Sequence, residues 1–187
     1  MKQKPERRRI LGVDPGTNIL GYAVLDTWGD HLQLIQMGVI SLTKWKDHQT
    51  KLKEIYLQLQ DVIECFRPEI MAIESPFFGK NVQSMLKLGR AQGVSIAAAI
   101  TMGLHIEEYS PKMIKQSVTG NGNATKEQVA AMLEHLLAVN LESQKLDASD
   151  ALATAVCHHF KQNSPVKRGA KGSGWGQFIK DNPDRLM

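Results

Sequence analysis

Up to Leu42 the apolar residues run in short blocks broken by turn residues, the pattern of strands rather than helices. RRILGVD is a buried-strand run that stops at the turn DPGTN, and GYAVLDT and LQLIQMGVISL follow it, joined through WGD. Three strands in succession predict an antiparallel meander. Then the period changes. Leu52, Ile55, Tyr56, Leu59, Val62, Ile63 and Phe66 fall at helical spacing and stop before Pro68. EIMAIES predicts a fourth strand, NVQSMLKLGRAQGVSIAAAITMG a second long helix and LHIEEYS a fifth strand. TKEQ at Thr125–Gln128 matches a capping box ahead of a helix through Val129, Met132, Leu133, Leu136 and Leu137. A last helix, built of small and aliphatic residues, starts near Asp147.

This order, three strands, helix, strand, helix, strand, helix, helix, predicts an α/β fold with a mixed five-stranded sheet covered by helices on both faces. Beyond His159 the pattern dissolves into KQNSPVKRGAKGSGWGQFIKDNPDRLM, where glycine, lysine and proline predict a flexible tail. The chain therefore divides into a basic extension over residues 1–8, one domain over 9–162 and a basic tail over 163–187. Trp175 and Phe178 stand in that tail, free to touch DNA, a partner or nothing.

Four acids interrupt the apolar pattern at places where chemistry collects. Asp14 closes the first strand and Glu74 the fourth, and strand ends beside loops are where α/β sites form. Asp147 and Asp150 lie three apart at the start of the last helix, which puts their Cβ atoms roughly 5–6 Å apart on one face. Two readings of that pair stay open: acids that cap and complement a helix N-terminus, or half of a metal site. If the first and fourth strands are neighbours and the last helix crosses beside them, all four carboxylates converge. They could not all stay ionised there without cations, and hard oxygen donors favour Mg²⁺ or Mn²⁺. Two such ions roughly 3.5–4 Å apart can activate water and stabilise a leaving oxygen in phosphodiester hydrolysis.

Charge bears on the partner. The net +4 is concentrated at the ends, with +4 over residues 1–9 and +3 over 165–187, leaving −3 between them. Within that middle stretch Lys80, Lys87, Arg90, Lys112, Lys115 and Lys126 still cluster between Ser75 and Lys126, against Glu107 and Glu108 alone. A basic flank beside an acidic pocket suits a polyanion. TGNGNATK is a glycine-rich loop before a helix; it either offers N–H groups to a phosphate, with Lys126 adding charge, or is an ordinary capped loop. Phe77 and Phe78 follow the fourth strand, past Pro76 in the case of Phe77. Cys65 and Cys157 each sit in an apolar helical pattern and predict buried thiols in a reducing compartment, not a disulfide or zinc set. The charged start MKQKPERRRI has no apolar run behind it, and nothing approaches the ~18 apolar residues that span a bilayer, so a cytoplasmic protein with no membrane contact is expected.

Four blocks, GVDPGTNILGYAV, IESPFFGKNVQSMLKLGRAQG, IKQSVTGNGNATKEQV and DASDALATAVCHH, resemble in order and spacing the RuvC family of Holliday-junction resolvases. The resemblance spans roughly Arg9 to His159. It implies an RNase H-like fold and a homodimer whose two metal-dependent sites nick opposite strands of a four-way DNA junction, with two Mg²⁺ or Mn²⁺ ions at each site. It places the four catalytic acids on Asp14, Glu74, Asp147 and Asp150, DNA-contacting bases on Lys115 and Lys126, and an aromatic near the junction centre on Phe77. A branch-migration complex of the RuvA and RuvB type is the implied partner. Two other functions compete. DPGT between two strands also resembles the phosphate-holding turn of actin-like phosphotransferases, which need a second lobe that this chain has no room for. A catalytically inactive junction-binding module is disfavoured by four intact acids, whose clustered charge would repel phosphates.

Overall fold

The computed structural model describes residues 6–75, 81–141 and 146–163. β1 (Arg8–Asp14), β2 (Ile19–Trp28) and β3 (His31–Ser41) make the meander; α1 (His48–Phe66) leads to β4 (Ile70–Glu74) and α2 (Val82–Thr101) to β5 (His105–Tyr109). Three more helices follow, α3 (Pro111–Thr119), α4 (Lys126–Leu137) and α5 (Leu146–Asn163). The sheet order is β3-β2-β1-β4-β5, antiparallel within the meander and parallel from β1 to β4 to β5. The mixed sheet expected from the element order is therefore present.

Strand alternation sorts the core into two layers. Leu11, Val13, Leu20, Val24, Met71 and Ile73 face α1 and α2, while Ile10, Ala23, Leu25, Ala72 and Tyr109 face α3, α4 and α5. α5 is buried almost continuously from Ala148 to His159, with the sheet on one side and α3 and α4 against it on others. That explains its composition of small and aliphatic residues.

α1 starts where the Asp47 side chain accepts the Thr50 N–H at 2.7 Å, and ends with Arg67 at φ 50°, its N–H on the Ile63 carbonyl, before Pro68. Its buried stripe is Ile55, Leu59 and Ile63. Cys65 lies two residues past that stripe, turned away from it and exposed, which corrects the expected buried thiol; Cys157 is buried as expected. α3 is a further correction, since the element order read from the sequence has no helix between β5 and Thr125. It runs only from the Ser110 cap and Pro111 to Gly120, and buries just Ile114 and Val118, too few positions to set a visible period.

At the end of the sheet away from Asp14, buried Asp26 receives Arg9 in a two-pronged pair, Nε at 2.7 Å and Nη2 at 2.8 Å, while Arg9 Nη1 donates to the Phe66 carbonyl at 2.6 Å. One guanidinium thus ties β1, β2 and the last turn of α1, and holds the Asp26 carboxyl below its ordinary pKa. Among the described residues no helix is long and apolar enough to cross a membrane.

Candidate active site

Asp14 and Glu74 are the last residues of β1 and β4, which pair in parallel with Val13 beside Ile73. Both therefore end at one edge of the sheet. Two-residue alternation puts them on the face of Gly12 and Ala72, the face that α5 covers. The approach of α5 is unusually close: a Cβ built on Gly12 would lie 2.1 Å from the Ala151 carbonyl oxygen, and one on Gly21 1.9 Å from that of Asp147. Gly21 is the cross-strand partner of Asp14. The absent side chains of two glycines thus let the first turns of α5 lie on the strands and bring Asp147 and Asp150 to the end of β1.

A pocket of about 270 Å³ opens there, lined by Asp14, Glu74 and Asp150 together with Lys115 and Lys126. Asp147, half-buried on the first turn of α5, is close enough for its charge to act on both Asp14 and Lys126. The four acids are accordingly brought together. Lys115 rides on α3, the helix missing from the sequence reading, and Lys126 opens α4, where Thr125 and Gln128 form the anticipated capping box. Phe77 lies outside the described residues.

The electrostatics follow from that crowding. Burial, then the charges of Glu74, Asp150 and Asp147, push the Asp14 carboxyl up to about 8, with Lys126 opposing. Burial and Asp150 raise Glu74 to about 7 against Lys126 and Lys115. Lys126 Nζ forms an ion pair with Asp150 Oδ2, which raises the lysine. Among the described residues no three acidic, histidine or cysteine side chains are arranged to chelate an ion as they stand. The donor chemistry nevertheless fits one: hard carboxylate oxygens that hold protons and an ammonium group near neutral pH are a set that divalent cations relieve.

The loop before α4 departs from the phosphate-cradle reading. The amide of Asn121 donates to Thr119 Oγ1, Gly122 to Gln116 Oε1, Asn123 to Asn121 Oδ1, Ala124 to the Asn121 carbonyl and Thr125 to Gln128 Oε1. All five are taken by local Asn, Gln and Thr groups, so none of these five N–H groups is left for a ligand. The loop instead fixes the start of α4, and with it Lys126. What sequence reading missed is Gly12 and Gly21; their signal was two glycines within otherwise apolar strands.

A mixed five-stranded sheet with acids closing two adjacent parallel strands, and two more on a helix lying across them, defines an RNase H-like nuclease. The description "Crossover junction endodeoxyribonuclease RuvC" belongs to the family model that matches residues 10–158. A protein of that description from Cytophaga hutchinsonii is 59% identical over 179 residues, covering 96% of this chain and 88% of the relative, and one from Porphyromonas gingivalis is 50% identical over 97% and 98%. The structure of T. thermophilus RuvC in complex with a Holliday junction substrate superposes with a TM-score of 0.78 at 29% identity, over 83% of this chain and 95% of that one. The chain belongs to the RuvC family of crossover junction endodeoxyribonucleases.

Proposed function

We propose that this chain resolves Holliday junctions in homologous recombination and DNA repair, as a structure-selective endonuclease that nicks opposite strands in a metal-dependent reaction. The observation that carries the reading is the convergence of Asp14, Glu74 and Asp150 at one pocket edged by Lys115 and Lys126, with Asp147 close enough for its charge to act on Asp14. The four carboxylates would hold two Mg²⁺ or Mn²⁺ ions, whose chemistry is to supply a nucleophilic water and to stabilise the leaving oxygen. The residues themselves do the rest. Lys126, which pairs with Asp150, would offer its charge to a backbone phosphate when the carboxylates hold the ions instead. Lys115 adds a second contact from α3. Phe77 stacks on an unpaired base near the crossover, where it acts on the reacting geometry more than on affinity.

Paired nicks need two sites related by a two-fold axis, so the working unit is an isologous homodimer. Support comes from α2, where Val82, Leu86, Gly89, Gly93, Ala97 and Ile100 fall on one helical stripe and are all exposed. Large apolar residues left out in this way mark a partner surface. A branch-migration complex of the RuvA and RuvB type, a cytoplasmic setting and the division into extension, nuclease domain and tail complete the reading.

The test is nicking of a mobile four-way junction with and without Mg²⁺. The wild-type chain should nick in pairs only with the metal, and Asp→Asn or Glu→Gln at any of the four acids should reduce nicking by more than about 100-fold. Junction binding should persist or tighten, because negative charge is removed. Near wild-type cleavage by Asp147→Asn or Asp150→Asn would return that residue to the role of a helix cap. Tight binding without cleavage in any divalent ion would favour the inactive-module reading.

A further inference from the structure

α1 and α2 both start at the sheet edge that carries Asp14 and Glu74 and descend together on the face opposite α5. They are tied lower down where Tyr56 Oη and Gln60 Nε2 meet Thr101 Oγ1 at 3.3 and 3.4 Å. Their upper ends bring together His48 and Lys51, one turn apart on α1, and Lys87 and Arg90, one turn apart on α2. Lys51 Nζ donates to Asn18 Oδ1 at 2.7 Å, which ties the cluster to the turn that follows Asp14. Lys87 and Arg90 are exposed and form no ion pair with any described residue. Asp47, which accepts the Thr50 N–H as the α1 cap, is the one acid whose charge is felt at His48 against these cations. Burial, and then Arg90, Lys87 and Lys51, hold the His48 imidazole below its ordinary pKa, and its Nε2 is buried with no partner among the described residues.

Three cations gathered against a single carboxylate raise one another's electrostatic cost, and a phosphate between them lowers it. The position matters as much as the charge. An acidic pocket repels a polyanion, and Lys115 and Lys126 offset that repulsion only on the α5 side of the sheet. We propose that Lys51, Lys87 and Arg90, seated over His48, are a second binding edge for the DNA backbone, holding the strand on the side of the pocket away from Lys115 and Lys126. This rests on the nuclease reading of the pocket. A strand crossing the sheet edge then meets positive charge on both sides of the acids, which keeps one phosphate over them.

The test compares two triple variants of the full chain with equal loss of charge: Lys51→Ala, Lys87→Ala, Arg90→Ala against Lys53→Ala, Arg67→Ala, Lys161→Ala. Junction binding is measured against salt concentration without divalent metal, beside melting temperature. The cluster triple should lose about tenfold or more in affinity at ~0.1 M salt, and its log–log salt slope should flatten by about 0.9 for each lost phosphate contact, up to about three contacts. Its melting temperature should hold and the control triple should bind within about twofold of wild type. Single Lys87→Ala and Arg90→Ala variants, at exposed positions, carry the same test at about one contact each. An unchanged slope and affinity, or an equal loss in the control, overturns the proposal. Metal-dependent nicking by wild type is read separately: its absence defeats the pocket reading, while the salt slopes still decide the cluster.

Discussion

Gly21 and Asp147 are in backbone contact: α5 lies so close to β2 that a single carbon on Gly21 would stand 1.9 Å from the Asp147 carbonyl oxygen. No rotamer relieves that clash, because the backbone fixes where the Cβ stands and the Asp147 carbonyl is main chain. Gly21→Ala must push the first turn of α5 off the sheet, and with it Asp147 and Asp150. Overpacking of this kind costs about 1–3 kcal/mol, so a melting-temperature drop of roughly 2–12 °C is expected. Nicking should fall far more steeply than the folded fraction at 25 °C. A Gly21→Ala chain that melts and nicks like wild type would show that α5 can slide without moving its acids.

The second prediction concerns pH. Asp14 is raised in the folded chain from an ordinary 3.8 to about 8. Between those values the folded chain holds a proton that the unfolded chain has lost, so this group makes stability fall as pH rises. His158 and His159, lowered by burial, act in the opposite sense as pH falls through the ordinary 6.5. The difference between wild type and Asp14→Asn therefore isolates the carboxyl. Without metal, Asp14→Asn should melt higher than wild type at pH 8, by several degrees, and match it near pH 4. Mg²⁺ should raise the melting temperature of wild type at pH 8 more than that of the variant. Parallel melting curves for the two chains across pH 4–8 would mean that Asp14 is not held protonated.

These sites differ in how readable they were. The four acids were legible because each breaks an apolar run at a strand end or helix start, and Thr125 and Gln128 because a capping box is a local bond. The contact that assembles the acids was not, because periodicity reports what a side chain buries, and Gly12 and Gly21 act by having none. α3 escaped for a related reason, with only Ile114 and Val118 buried in nine residues. The loop over Asn121–Thr125 misled in the other direction. Its glycines suggested open amides, whereas Gln116 and Asn121 side chains close them, a choice settled by three-dimensional packing on α3.

The last prediction concerns α2, whose exposed stripe contains both large apolar residues and glycines. Val82 is 66%, Leu86 52% and Ile100 57% exposed, and a Cβ on Gly89 or Gly93 would meet nothing within 4 Å. Among the described residues these glycines have no packing reason, and each weakens its helix by roughly 0.5–1 kcal/mol relative to alanine. Such glycines permit close approach of another helix, and in the proposed isologous pair the same stripe on a second copy would supply it. Gly93→Leu separates the two situations. In an isolated chain the new side chain points into open space, so the fold should persist and the helix gain slightly. In a dimer it holds the two stripes apart. Sedimentation should show wild type as a dimer at working concentration and Gly93→Leu shifted towards monomer, with unchanged helix content. Because junction cutting on opposite strands needs both sites at once, the variant should also lose paired nicks before it loses single ones. A wild-type monomer that still resolves junctions, or a Gly93→Leu chain that dimerises and cuts normally, would rule out this face as the dimer contact.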